Sequence, residues 1–159
     1  MIRETAFHRF LAFAERHANK HGEGVLGDEY LLLPPVQDFG YLQTPMNALT
    51  FCTMGVDGVH FAILQLHGRV QEHSPVVYVS PMDAEAAFVI AGSFLSYLAH
   101  GCDVALNEMG VLLSSPLHEE ELITLLVENF DHGRLLQKER LEYLARKYAH
   151  LIEWKDQEP

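Results

Sequence analysis

Ten histidines stand in this chain of 159 residues, and a cluster of imidazoles with a carboxylate is the raw material of a metal site. The tightest set is Asp57, His60, His67 and His73. Metal ligation needs lone pairs that converge on one point, through i, i+4 pairs on a helix, i, i+2 pairs on a strand, or a motif such as H-E-x-x-H. The intervals between His60, His67 and His73 fit none of these. The set therefore reads as histidines with a structural or surface role, with a small metal-dependent hydrolase built on His60, His67 and His73 as the minor alternative. His100 before Gly101 suits a helix C-terminus, where its positive form meets the negative end of the dipole.

Other routes to catalysis find little material. Gly92-Ser93 lacks the G-x-S-x-G frame of a nucleophile elbow, so Ser93 reads as a helix cap. Cys52 and Cys102 have no neighbouring base to form a thiolate. They lack C-x-x-C spacing and sit among apolar residues, which favours buried thiols over a disulfide. Glu119-Glu120-Glu121 falls in a first helical turn, where acids complement the dipole. Gly22, Gly24 and Gly27 are not followed by the Lys-Ser/Thr of a phosphate loop. The expectation is no enzyme, no catalytic residues, no cofactor and no metal.

Charge says more about partners. The formal net charge is −11, and residues 22–115 hold ten acids against a single base, Arg69. Phosphate contacts need clustered Lys and Arg, so nucleic acid is disfavoured. A basic protein partner is electrostatically favoured, because opposite fields speed association. The competing reading is that negative charge serves solubility alone. Asp57, Glu72, Asp83, Glu85 and Asp103 fall in turns and strand ends, and they are the candidate partner-binding residues. Titration of all ten histidines would bring the formal charge from −11 to about −1, so an electrostatic interface would weaken near pH 5.

The elements that must carry these residues form an α+β pattern. Ile2, Ala6, Phe7, Phe10, Leu11, Phe13, Ala14 and His17 recur near helical spacing at the N-terminus, with Gly22 where a C-terminal cap would stand. Residues 22–47 are punctuated by Gly and Pro, with Tyr30–Leu33 as a short edge strand ended by Pro34-Pro35. Leu49–Met54 and Val59–Leu66 flank Gly55-Val56-Asp57-Gly58, a strong hairpin signal. Both faces of Val59–Leu66 are apolar, as in a strand covered on both sides. Pro75–Ser80 is a further strand. Phe88–Ala91 reads as a strand followed by a Ser93-capped helix ending near Gly101, or else as part of one helix from about Pro81 with Ser80 and Asp83 as its capping box. Ser115-Pro116 opens one amphipathic helix through Phe130, and Arg134 to Trp154 forms a second. These two helices pack on the sheet, or offer a surface for a homodimer.

The expected architecture is a single α+β domain over 1–159: a central, mostly antiparallel sheet, flanking helices, a core at 48–103 and a helical extension at 115–155. No apolar run reaches the roughly 18 residues of a membrane span, and Met1-Ile2-Arg3-Glu4-Thr5 does not read as a signal peptide. A cytoplasmic location without membrane contact follows as the expectation.

Three stretches together resemble a known group: Met54-Gly55-Val56-Asp57-Gly58-Val59-His60-Phe61, then Ser74-Pro75-Val76-Val77-Tyr78-Val79, then Ile90-Ala91-Gly92-Ser93-Phe94-Leu95-Ser96-Tyr97-Leu98. They are similar to the core of the SUKH superfamily, which holds cell-wall-synthesis regulators and many bacterial toxin-immunity proteins. The resemblance covers residues 48–103. It implies helices around a central sheet, no catalysis, and a protein partner that in many bacterial members is a secreted toxin. The chain departs from the group at Leu33-Pro34-Pro35-Val36-Gln37-Asp38-Phe39-Gly40, where a Leu-Pro-x-x-Tyr helix and an Asn-Gly turn are usual. Its two C-terminal helices also extend past the common core.

Overall fold

The computed structural model describes residues 4–21, 25–26, 29–54, 57–82, 87–99 and 138–155. Six strands form one sheet in sequential order: β1 (Val25–Leu26), β2 (Glu29–Val36), β3 (Ala48–Thr53), β4 (His60–Leu64), β5 (Val76–Val79) and β6 (Ala87–Ala91). Every neighbouring pair is antiparallel. Helix α1 (Ala6–His21) precedes the sheet, and the six-residue α2 (Phe94–Ala99) follows β6. Helix α3 (Lys138–Tyr148) leads into a 3-10 turn at Ala149–Leu151.

The doubly apolar reading of β4 is realised in full. All five of its residues are buried. Phe61 and Ile63 enter one apolar cluster with α1, α2 and Phe51, while Ala62 and Leu64 enter a second with Val77, Val79, Val89, Leu144 and Ile152. The strand is thus sandwiched, with α1 and α2 over the first face and α3 over the second. On the first face Phe7, Phe51 and Phe94 form a triangle of edge-to-face contacts, with centroids 5.1 to 5.6 Å apart. Each such pair adds roughly 0.5–1.5 kcal/mol beyond its burial.

Two bulges tune this packing. The register slips between Thr50 and Cys52 against β4, and between Val76 and Val77 against β6. An extra residue on one strand directs two consecutive side chains to the same side. Phe51 with Cys52, and Ile90 with Ala91, accordingly share the first cluster. On the second face, small residues admit a close neighbour: a Cβ on Gly92 would lie 2.9 Å from the Tyr148 hydroxyl.

The strand reading of Phe88–Ala91 holds, with Ala87 added at its start, as does the Ser93 cap, whose Oγ accepts from the Ser96 N–H at 3.2 Å. Cys52 is fully buried on β3, and Cys102 lies outside the described residues. Two expectations need correction. The segment read as a short edge strand at Tyr30–Leu33 is β2, eight residues long, with β1 outside it. Its prolines do not end it, because Leu32 to Pro35 bulge out opposite Phe51, where no ladder donor is required; the Leu33–Pro34 peptide is cis. The helix expected to run to Trp154 stops earlier. Ile152 is extended, at φ −80° and ψ 122°, because the backbone beyond Leu151 exchanges helical bonds for bonds to the β2–β3 connection. The first expected C-terminal helix, at 115–130, lies outside the described residues.

Candidate functional site

The β2–β3 connection, residues 37–47, does not loop away from the sheet. It crosses the second face, and the C-terminal segment 152–155 joins it to make a two-stranded strap. The Met46 N–H donates to the Glu153 carbonyl at 2.6 Å. Asn47 is the hub: its Nδ2 donates to the carbonyls of Leu151 (2.8 Å) and Gln65 (3.2 Å), and its Oδ1 accepts from the Glu153 N–H (3.0 Å). At the other end Lys155 Nζ donates to Asp38 Oδ1 at 2.8 Å and to the Tyr41 carbonyl at 2.6 Å. That ammonium, with the Gly40 N–H, holds the Asp38 carboxyl below its usual range.

Beneath the strap lies His60. Its register with Ala62 and Leu64 turns it to the second face, and it is fully enclosed. Nδ1 lies 2.7 Å from the Gly58 carbonyl and Nε2 lies 3.0 Å from Thr44 Oγ1. A carbonyl can only accept, so Nδ1 carries the proton and Nε2 accepts from the threonine hydroxyl. Phe39 packs on the imidazole with centroids 4.6 Å apart, and Tyr41 stacks on it at 5.9 Å. Burial disfavours the charged ring and lowers its pKa, the Gly58 contact acts the other way, and the Lys155 charge adds a further lowering.

A hydroxyl bonded to an oriented imidazole is the geometry of an activated nucleophile. Here Thr44 and His60 are both fully enclosed, so a substrate carbonyl has no route to Thr44 Oγ1 while the strap is closed. The pair's evident work is to fasten the strap to the start of β4.

The structure disperses the histidines considered for metal. His60 opens β4, whereas His67 and His73 are exposed in the connection that follows the strand. Among the described residues no three His, Cys, Asp or Glu side chains are grouped to hold a metal ion.

The acidic candidates are also apart. Asp57 is exposed at the hairpin turn before β4, and Glu72 is exposed beyond the strand's far end. Asp57 and Gly58 have φ of 54° and 71°, the left-handed pair that an Asp-Gly hairpin turn demands. Glu72 also anchors a helix, since its Oε2 accepts from the Ala6 N–H at 2.9 Å, at the start of α1. Asp83, Glu85 and Asp103 lie outside the described residues. On α3, Leu144 belongs to the second cluster, while Tyr143 is exposed.

The strap's outer surface is what the sequence reading missed. Tyr41, Leu42, Met46 and Trp154 are exposed large apolar side chains on its two segments, flanked in sequence by the exposed carboxylates of Asp38 and Glu153. The density of Phe39, Tyr41, Leu42 and Met46 within a Gly/Pro-punctuated stretch was the available signal. No helix among the described residues is long and apolar enough to cross a membrane. Comparison of the chain with protein-family models, with curated proteins and with solved structures found no match.

Proposed function

We propose that this chain is a non-enzymatic protein-binding module of SUKH type whose partner presents a basic surface, with a toxin domain neutralised by its immunity protein as the form of that pairing. One observation carries the reading: Leu42, Met46 and Trp154 are exposed on a strap that hydrogen bonds fasten from both ends. Large apolar side chains on a fixed surface, with carboxylates beside them, have the composition of an interaction hot spot. The net charge of −11 adds a field that draws a basic partner in. The Asp57-Gly58 turn and β5 lie on two of the stretches that carry the resemblance, and the Ser93-capped α2 lies on the third.

The test is calorimetric titration against the product of the adjacent gene, in low and in physiological salt. Nanomolar affinity that falls with salt, and a further loss of about tenfold or more in Trp154→Ala with the fold retained, is the expected result. An affinity indifferent to both salt and Trp154 would overturn the reading.

A further inference from the structure

Among the described residues the strap closes over one buried titratable group, His60, and that group is bonded to it in one protonation state only. With Nδ1–H given to the Gly58 carbonyl, Nε2 can serve Thr44 only as an acceptor. A second proton on the ring would turn Nε2 into a donor. The Thr44 hydroxyl would then have to reverse and find another acceptor for its own hydrogen at a fully buried position. The charged ring would also lie within the field of Lys155, the residue that ties the tail to Asp38 and Tyr41.

We propose that His60 is an acid-operated latch: its protonation releases residues 37–47 and 152–155 from the second face of the sheet and remodels the surface that carries Leu42, Met46 and Trp154. The elements around the site carry other titratable and charged groups. The connection contributes Asp38 and Tyr41, the hairpin Asp57, the tail Glu153 and Lys155, and the 3-10 turn the exposed His150. Asp38 is held by Lys155 below the usual carboxylate range, far from that of an imidazole. The faces of Phe39 and Tyr41 would attract a cation, while burial and the Lys155 charge disfavour one.

The sign follows from linkage. In the released state His60 is hydrated and binds its proton near the ordinary pKa of about 6.5, while in the closed state it binds one only at lower pH. Below about 6.5 the ratio of released to closed forms therefore rises by up to tenfold per pH unit, until the closed-state pKa is reached. Above about 6.5 the latch is shut and indifferent to pH.

The experiment is hydrogen–deuterium exchange of the intact chain from pH 5 to 8, corrected for intrinsic rates. The probes are the amides of Met46 and Glu153, which the strap bonds hold, and those of the β4–β5 ladder as an internal reference. Trp154, the sole tryptophan, adds a fluorescence reading of the tail. The expected result is protection at Met46 and Glu153 that falls several-fold or more per unit below pH 6.5, with the ladder unchanged. His60→Gln, whose amide can both donate to Gly58 and accept from Thr44, should flatten that dependence, and His150→Gln should leave it intact. Should His60→Gln fail to fold, NMR titration of the His60 ring in the native chain decides: its protonation must coincide with the loss of strap protection. Strap protection that is flat from pH 5 to 8, or a dependence that survives His60→Gln, overturns the proposal.

Discussion

Asn47 and Leu151 stand 104 residues apart and meet through a 2.8 Å hydrogen bond from the asparagine amide to the leucine carbonyl. With the bonds to Gln65 and Glu153, that amide uses both of its donors and one acceptor. An intramolecular hydrogen bond contributes about 0.5–1.5 kcal/mol net, and leaving buried partners unpaired costs more. Asn47→Ala should therefore lower stability by roughly 2–4 kcal/mol in urea unfolding. Asn47→Asp, which sets a carboxylate oxygen against the Leu151 and Gln65 carbonyls at a buried position, should cost at least as much as alanine. A change in Trp154 fluorescence ahead of global unfolding would locate the damage in the strap.

Gly58 answers to a different neighbour. Its φ of 71° is a conformation that side chains resist, and a Cβ there would lie 2.7 Å from Cζ of Tyr41. Gly58→Ala meets both penalties, and a loss of about 1–3 kcal/mol is expected. The two causes separate in a double-mutant cycle. Against Tyr41→Ala the steric part vanishes and only the backbone part remains, so the pair should be non-additive by about 1 kcal/mol or more. Full additivity in the cycle would mean that the tyrosine ring yields without cost.

What could be read in the chain follows from the range of the interactions. Asp57-Gly58, the alternation in β4 and the serine before α2 are local signals, and each produced the element expected of it. The strap is non-local. Nothing near Asn47 announces Leu151, and nothing near Thr44 announces His60, because their chemistry depends on which segment crosses which face. The prolines of β2 misled for a related reason: the rule that they end a strand assumes a regular ladder, and a bulge lifts that condition. The helix expected to reach Trp154 was periodic in its apolar residues, yet tertiary bonds from Met46 and Asn47 took over its last turn.

Glu72 exemplifies the same distance between sequence and role. Its position in a polar connection suggests a partner contact, and the structure adds a role within the chain: its carboxylate meets the Ala6 N–H at the positive end of α1, alongside the Thr5 hydroxyl that accepts from the His8 N–H. Removing the charge while keeping an acceptor, in Glu72→Gln, should cost the dipole interaction alone, about 0.3–1 kcal/mol. Thr5→Ala should cost about 1 kcal/mol. Both effects are read as shifts in the urea midpoint at constant slope, and high salt should shrink the first but not the second.

The Asp38–Lys155 pair supplies a second pH window at the strap. The Asp38 carboxyl is held below its usual range by the lysine hydrogen bond first and the Gly40 N–H next. Its contribution is therefore complete above the ordinary carboxylate pKa of about 3.9 and is lost as pH falls through the lowered value. Because the carboxylate is largely exposed, the pair is worth at most about 1 kcal/mol. Lys155→Met should loosen the tail, seen in Trp154 fluorescence, by an amount that 1 M salt reproduces in the wild type.

Thr50 offers a substitution that should strengthen the fold. It is fully buried on β3, in register with Ala62. Its Oγ1 is the one buried side-chain polar atom among the described residues that lacks a hydrogen-bond partner. A buried hydroxyl without a partner forfeits its hydration for nothing, at a cost of about 1–3 kcal/mol. Valine has nearly the same shape, suits a strand, and would place a methyl among the valines and alanines of the second cluster. Thr50→Val is thus expected to raise stability by about 1 kcal/mol, a gain of several degrees in thermal unfolding. A loss instead would show that the hydroxyl is satisfied in solution, by a water or by a segment outside the described residues.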